Sequence, residues 1–326
     1  MQRGGGVGRR EVLRALAGLT LAPLALAGCR PLPALTVGIH PWPGYEPLYL
    51  AEHFGWLPER ITLHGSVNAG ASLAALEAGD LAAAALTLDE VLKARVAGVA
   101  LSVVAVLNDS VGADMVVSRE PLPSLAALAG ARLAVERSAL GELVLSQVLA
   151  AAGLGREQLT LVDLAPDQQL SAWQAGRLDA AITYEPFASQ LLRAGAIRLF
   201  DSSQFPDLVL DVLAVRTDIL RWERHAMADL VAAHFRGLGH LKSNPGDALR
   251  RIGAWRGLTL AEVRRTYAGL ELPGLAANHA YLADDGVVMR AASRINSLLV
   301  ERGLMTRRAD LTGLVSPHYL PEGAWQ

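Results

Sequence analysis

Cysteine is almost absent from this 326-residue chain, since Cys29 is its only one and no internal disulfide can form. Aromatic residues make up only 5% of the chain. The sequence also lacks the His-Glu-x-x-His, Gly-x-x-x-x-Gly-Lys and Gly-x-Ser-x-Gly motifs of zinc proteases, nucleotide-binding loops and serine hydrolases. Its eight histidines show no spacing typical of metal ligands. These absences argue against those enzyme classes and against a metal site.

Long apolar runs are missing too, apart from residues 15–27 near the N-terminus, which carry no charge. Thirteen residues are too few to span a bilayer but fit the apolar part of a signal peptide. Arg9 and Arg10 precede the run, as in twin-arginine export signals, with Sec export as the alternative. The run ends in Leu-Ala-Gly-Cys29, which resembles a lipoprotein lipobox. We predict a signal peptide over 1–29 and a lipid on Cys29; the alternative is a plain signal peptide with an incidental cysteine.

Charge of one sign does not dominate the remaining chain. Without the signal peptide it has 26 basic and 31 acidic residues, a formal charge of −5. This balance indicates neither a nucleic-acid-binding surface nor a surface for an anionic membrane. Nearly 300 residues exceed a typical single domain and favour two compact units.

Short apolar runs alternate with helical patterns between residues 34 and 215, and helices predominate from about 218 onward. The first runs, 34–40 and 61–67, each precede a helical pattern. Such alternation is typical of α/β proteins and predicts parallel sheets with helices on both faces.

An internal echo indicates two related halves. Residues 78–98 and 175–195 align without a gap at an offset of 97, with seven of 21 positions identical. Both segments read as the end of a helix, a glycine, a strand, a loop and a helix. Because ligands of open α/β sheets bind at the carboxyl ends of strands, the two loops are expected to face one cleft.

The segment GIHPWPGYEPLYLAEHFGWL, residues 38–57, holds a connection unsuited to strand or helix throughout. Two prolines fix the backbone and a glycine frees it, so we predict a rigid turn. The turn presents Trp42, Tyr45 and Glu46. Glu46 is either a ligand acceptor or a favourable charge at the start of the next helix.

The lipobox, WPGYEPLYLA, ALEAGDLAAAALT, SVGADMVVS and DAAITYEPFA together resemble the periplasmic substrate-binding proteins of ABC importers. The nearest branch is the nitrate/sulfonate/taurine and thiamine-pyrimidine-precursor type. The resemblance implies an α/β, two-lobed periplasmic-binding-protein fold (type II, Venus-flytrap) with two hinge crossings. By that comparison lobe one is 30–117 plus 214–326 and lobe two is 118–213. The crossings are then expected near Ser118-Arg119 and Val215-Arg216.

Twelve residues at strand ends are the predicted ligand contacts. Several carry an alternative: Asn68 and Asp89 are also candidate helix caps, and Asp211 either faces the cleft or pairs with an arginine. The orientation of Asp114 is left open in the same way. The predicted set is Trp42, Tyr45, Asn68, Thr87, Asp89, Asn108, Ser110, Glu136, Ser138, Tyr184, Glu185 and Asp211.

The expected function is that of a solute-binding lipoprotein, outside the cytoplasmic membrane, without catalysis or cofactor. Its expected partners are a small-molecule ligand and an ABC permease with its ATPase, and no nucleic acid. It is expected to be a monomer that meets the membrane only through its lipid. Acidic and aromatic candidates favour a neutral or cationic nitrogenous ligand. The alternatives are an organic anion such as a sulfonate, or an enzyme on the same fold such as a menaquinone-pathway dehydratase. A purely structural lipoprotein would not explain polar loops at strand ends in both halves.

Overall fold

The computed structural model describes residues 34–322. The predicted signal peptide, the lipobox and Cys29 lie outside the described residues. Leu35–Gln326 forms one compact unit. Within the described part, no helix is both long and apolar enough to cross a membrane.

The first sheet has six strands and builds lobe one. Three parallel strands, each from a strand–helix unit, form one side of it, and three further strands follow. In chain order the strands are β1 (Leu35–Ile39), β2 (Ile61–Gly65), β3 (Ala83–Thr87), β4 (Leu101–Ser110), β10 (Leu210–Arg216) and β11 (Leu270–Glu271). Their spatial order is β11-β4-β10-β3-β1-β2.

The second sheet has five strands and builds lobe two. The strands are β5 (Asp114–Ser118), β6 (Arg132–Val135), β7 (Thr160–Asp163), β8 (Ala180–Tyr184) and β9 (Ile197–Asp201). Their spatial order is β7-β6-β8-β5-β9, and β6 runs parallel to both β7 and β8.

Neither sheet is fully parallel, so that prediction was wrong. Strand β10 pairs antiparallel with β3 and β4, and β5 pairs antiparallel with β8 and β9. Alternation of strands and helices correctly indicates the parallel units. It cannot reveal a single strand that enters each sheet from the other lobe and runs in the opposite direction.

The connections between the sheets lie earlier in the chain than expected. Strand β4 belongs to the first sheet and β5 to the second, so the first crossing runs through 111–113. The return crossing runs through 202–209, between β9 and β10. Ser118 and Val215, the expected positions, lie inside β5 and β10 because each crossing strand extends beyond its crossing. Hinge movement at either connection stays a prediction.

Helices cover both sheets and continue to the C-terminal region, as expected. The long helix Arg224–Ser243 packs on the helix Glu46–His53. The helices are α1 (Glu46–His53), α2 (Ala69–Ala78), α3 (Leu88–Ala97), α4 (Ala139–Ala152), α5 (Pro166–Gln174), α6 (Phe187–Arg193), α7 (Thr217–Trp222), α8 (Arg224–Ser243), α9 (Pro245–Arg256), α10 (Leu260–Thr266), α11 (Leu275–Tyr281) and α12 (Val287–Glu301). The buried aliphatic side chains of β3, β4 and β10 lie at the centre of the core.

Candidate functional site

A small cavity lies between the lobes, at the carboxyl ends of β1, β3, β6 and β8. Residues from both lobes line it, including His40, Trp42 and Thr87 from lobe one and Glu136 and Tyr184 from lobe two. The volume that the centre of a water molecule can occupy is about 20 Å³, so the cavity has room for roughly one water. Thr87 and Tyr184 are 97 positions apart, so the two copies of the sequence echo meet at this cavity, as predicted.

Trp42 and Tyr184 close the cavity from opposite lobes. Their rings meet edge to face with centroids 5.8 Å apart and planes at 82°. Trp42 is 5% exposed, and burial raises the pKa of the Tyr184 hydroxyl well above its usual value. A ligand larger than water therefore needs these two rings to separate or slide.

A chain of hydrogen bonds holds the Trp42 ring on lobe one. Its indole Nε1 donates to Asn108 Oδ1 at 2.8 Å, and Asn108 Nδ2 donates to Asp211 Oδ2 at 2.8 Å. Tyr45 donates its hydroxyl proton to the other oxygen of Asp211. Asp211 thus lines the cavity and pairs with no arginine of residues 34–322, one of the two alternatives raised by the sequence.

Gly44 makes this arrangement possible. A Cβ at position 44 would lie 1.6 Å from Asn108 Oδ1 and 2.8 Å from Trp42 Nε1. The backbone of the turn, a single 3-10 turn at Pro43–Tyr45, approaches the amide of Asn108 as closely as only glycine allows.

Four carboxyl groups line the cavity: Glu90, Asp114, Glu136 and Asp211. Burial raises the pKa of Asp114 to about 7 and that of Asp211 to about 8, although hydrogen bonds from Ser110, Tyr45 and Asn108 oppose the shift. Burial, reinforced by the neighbouring Asp89, also raises the pKa of Glu90, and burial raises that of Glu136. Near neutral pH Glu90, Asp114 and Asp211 are therefore partly protonated, and ionisation of each is favoured by a nearby positive charge.

No lysine or arginine is among the described residues that line the cavity. The only basic side chain there is His40, whose pKa burial lowers to about 4, so it is neutral at physiological pH. Its ring packs edge to face on Tyr45 at 5.0 Å. One oxygen of Asp114 and Nδ1 of His40 have no hydrogen-bond partner among the described residues. The cavity therefore combines acidic, aromatic and unpaired polar groups without a cation.

Two predicted residues support the site without lining it. Tyr45 is fully buried in lobe one, and Asn108 is fully buried behind Trp42. Their hydrogen bonds orient Trp42 and Asp211, which do line the cavity. Direct contact of Tyr45 or Asn108 with a ligand stays a prediction.

Three further predicted residues act as helix caps. Asn68 accepts a hydrogen bond from Ala71 N at 3.0 Å, the second of its two alternatives. Ser138 accepts from Gly141 N at 3.0 Å at the start of α4. Glu185, the favoured lobe-two contact, accepts from the backbone and hydroxyl of Ser189 in α6. None of the three lines the cavity.

The remaining predicted residues, Asp89 and Ser110, are buried beside the cavity. Asp89 lies fully buried in the first turn of α3 and does not line the cavity. Ser110 Oγ lies 2.9 Å from Ser202 Oγ, where both crossings run side by side. Glu46 is also not available to a ligand: it accepts from Arg256 Nε at 2.6 Å and Trp255 Nε1 at 2.8 Å.

Sequence reasoning missed Glu90 as a site residue and left Asp114 undecided. Glu90 Oε2 accepts from Thr87 N at 2.9 Å, so it caps α3 while lining the cavity. The capping pattern Thr-x-x-Glu at 87–90 was the available signal, because it places Glu90 at the strand end. Residues 34–322 contain no group of His, Cys, Asp and Glu arranged to hold a metal ion.

Two α/β lobes joined by two crossings, with a cavity between strand ends, define the fold of periplasmic substrate-binding proteins. The alkanesulfonate-binding protein SsuA from Xanthomonas axonopodis pv. citri, bound to MOPS, has this fold with a TM-score of 0.71 and 21% identity over 87% of this chain and 98% of that one. The zinc-bound ligand-binding component of an ABC-type import system from Staphylococcus aureus has a TM-score of 0.74 and 14% identity over 90% and 100%. The desulfurization enzyme DszB has a TM-score of 0.67 and 17% identity over 88% and 97%.

The chain itself belongs to the NMT1-like family, which matches residues 29–248. No curated protein matches it. The family and the fold confirm the resemblance that the sequence motifs indicated.

Proposed function

We propose that this protein is an extracytoplasmic solute-binding lipoprotein that delivers a small nitrogenous ligand, cationic or neutral, to an ABC importer. The observation that carries the ligand class is the interlobe cavity, with four carboxyl groups, two aromatic rings and no lysine or arginine in its lining. Membership of the NMT1-like family and the shared fold with an ABC import component support the transport role.

The carboxyl groups favour a cation for an electrostatic reason. Their raised pKa values reflect the cost of ionising acids away from water and beside one another. A ligand with an ammonium or protonated ring nitrogen would offset that cost by pairing with the ionised groups. The faces of Trp42 and Tyr184 would add a stacking or cation–π contact of about 0.5–2 kcal/mol each when desolvated.

An organic anion such as a sulfonate is the second candidate, because a solved protein of this fold binds alkanesulfonates. A sulfonate would need donors aimed into the cavity. Three helices, α2, α3 and α4, begin at the cavity lining, but side chains already cap them: Asn68 accepts from Ala71 N, Glu90 from Thr87 N and Ser138 from Gly141 N. Ser138 also donates to Glu136 Oε2 at 2.9 Å. The carboxyl group of Glu136 would repel an anion at this position. The geometry therefore favours the cationic or neutral ligand.

Calorimetry against two ligand panels tests the proposal: amines and pyrimidines in one, sulfonates and other oxyanions in the other. We expect a hit in the first panel, weakened at least tenfold by Asp114→Asn and unchanged by Glu185→Gln. The second variant is a matched control, because Glu185 is a buried carboxyl group that caps a helix outside the cavity. Tight binding of a sulfonate that Asp114→Asn leaves unchanged or strengthens would contradict the ligand class and keep the fold.

Export and anchoring are tested separately through Cys29. The lipobox motif supports lipidation there, and Cys29→Ala is expected to move the protein from the membrane fraction to the soluble extracytoplasmic fraction. If the variant stays with the membrane, the anchor lies elsewhere. A catalytic role is not proposed, although the fold also serves the enzyme DszB.

A further inference from the structure

The most exposed large apolar side chain among the described residues is Trp222, at 85%. It ends α7, and exposed Arg221, Arg224 and His225 surround it in the chain. The one acid of this segment, Glu223, is paired with Arg60 through two hydrogen bonds of 2.8 and 2.9 Å. We call residues 221–225 the tryptophan patch; it presents an indole ring between two arginines.

The tryptophan patch lies where the described chain begins. Leu35 N donates to Arg60 O at 2.7 Å, and the guanidinium of Arg60 holds Glu223, at the middle of the patch. Arg60 thus joins the first strand, through its backbone carbonyl, to the patch, through its guanidinium. Cys29 stands six residues before Leu35, and six residues span at most about 20 Å when fully extended.

The cavity lies at the opposite edge of the first sheet. Strand β1 begins at Leu35 and is followed at its other end by His40, which lines the cavity. Strand β10 runs in the reverse direction and returns to the Leu35 edge, where Arg216 N donates to Ala82 O and Ala82 N donates to Thr36 O. Helix α7 follows directly, so the tryptophan patch and the cavity occupy opposite ends of lobe one.

From these observations we infer that the tryptophan patch is a membrane-contact surface, on which lobe one rests against anionic phospholipid headgroups. Tryptophan is favoured at the boundary between lipid and water because its ring is apolar and its N–H is polar. The two arginines match the charge of anionic headgroups. The inference rests on the proposed lipidation of Cys29. A lipid there holds Leu35 within about 20 Å of the bilayer, and Arg60 connects Leu35 to the patch. In this orientation the cavity lies on the side away from the bilayer, so the contact describes the protein before it docks on the permease.

The test places a spin label at the last residue of the patch and leaves Trp222 and both arginines in place. In lipidated full-length protein carrying His225→Cys, Cys29 is blocked by its lipid, so the label attaches at 225 alone. The protein is inserted into vesicles of phosphatidylethanolamine and phosphatidylglycerol. Label depth is read from its accessibility to a water-soluble relaxing agent and to oxygen. The matched control is Val67→Cys, because Val67 is 82% exposed and follows β2 near the cavity end of the sheet.

We expect the label at 225 to be several-fold less accessible to the water-soluble agent than the label at 67. Adding Trp222→Ala, or replacing phosphatidylglycerol by phosphatidylcholine, is expected to restore the accessibility of the label at 225. Equal accessibility at both positions would overturn the inference. Shielding of the label at 225 without vesicles would also overturn it, because a second copy of the protein would then cover the patch. Shielding that appears only with the permease present would overturn it as well.

Mass spectrometry of the purified protein reports the lipid on Cys29 independently of label depth. If Cys29 carries no lipid, the proposed anchoring is refuted, and the membrane contact of the patch is then tested separately. The depth measurement is then made with Cys29→Ala protein attached through a histidine tag at residue 30 to nickel-chelating lipid. Shielding at 225 in that arrangement still supports the patch, and its absence still refutes it.

Discussion

Trp42 of lobe one and Tyr184 of lobe two touch across the interlobe cavity, with ring centroids 5.8 Å apart. The contact leaves room for about one water molecule between the lobes. Trp42 is fixed from behind by Asn108, whereas no hydrogen bond of the Tyr184 hydroxyl is found among the described residues. Tyr184 is therefore the freer of the two rings, and opening of the cavity is expected to move it together with lobe two.

Replacing Trp42 by alanine is expected to weaken ligand binding by about 2 kcal/mol, or about 30-fold, because the ligand loses a flat face and a desolvated wall. Calorimetry measures the loss. Trp56→Ala serves as control, because Trp56 stacks on Phe54 with centroids 4.6 Å apart outside the cavity lining. Equal affinity losses in both variants would contradict a role of Trp42 in the site.

Asn108→Ala is expected to lower both stability and ligand affinity. The substitution leaves the indole N–H of Trp42 and one oxygen of Asp211 without their partner in a buried place, which costs about 1–3 kcal/mol for each group. Urea unfolding measures the loss of stability. The matched control is Asn296→Ala, since Asn296 is also buried and bridges two backbone groups of Ala309 at 2.8 Å. The control is expected to lose stability alone; an affinity loss in both variants would indicate a general effect of unfolding.

The sequence predicted the strands, the helices and the meeting of two similar loops because these follow from local patterns of apolar residues. Residues 180–184 and 83–87, for example, are buried strands in both copies of the echo. Which side chain of a loop faces the cavity depends on rotation within a single turn. Asp89 and Glu90 are neighbours in α3, about 100° apart around its axis, and only Glu90 lines the cavity.

Glu185 shows the same limit in lobe two. A carboxylate directly after a strand suits a ligand site and a helix cap equally well in sequence terms. The structure uses Glu185 for the cap, with Ser189 as its partner. Gly44 and Asn108 lie 64 positions apart, so their close approach could not be read from any local pattern.

Arg193 of α6 and Glu262 of α10 form an ion pair that links lobe two to lobe one. Since their side chains are 45% and 17% exposed, the pair is expected to contribute only about 0.5–1 kcal/mol to closure. Arg193→Gln is therefore expected to weaken ligand binding a few-fold, and high salt is expected to erase the difference from the wild type. Arg132→Gln is the control, because Arg132 pairs with Asp179 within lobe two. Small-angle scattering that shows no opening in Arg193→Gln without ligand would contradict a role in closure.

Buried Asp114 and Asp211 are expected to make the ligand-free protein less stable as pH rises from about 6.5 to 8, above the range in which buried His40 and His234 act in the opposite direction. In the unfolded chain aspartates ionise near pH 4, whereas burial keeps Asp114 and Asp211 protonated until about pH 7 and 8. The folded state binds more protons over this interval, so the free energy of unfolding decreases with pH. Thermal unfolding from about pH 6.5 to 8 measures the trend. Asp114→Asn is expected to flatten it, and a melting temperature that rises with pH would contradict the burial of these acids.

Ligand affinity is expected to change with pH in the opposite direction. A cation binds best when the carboxyl groups of Glu90, Asp114 and Asp211 are ionised, so it displaces their protons and binds more tightly as pH rises from 6 to 8.5. Each displaced proton changes the affinity by up to about tenfold per pH unit below the pKa of its group. Calorimetry in two buffers of different ionisation enthalpy counts the protons released. A bound anion would require the acids to stay protonated, so its affinity would fall over the same interval and it would take up protons. The sign of proton exchange therefore distinguishes the two ligand classes even before the ligand is identified.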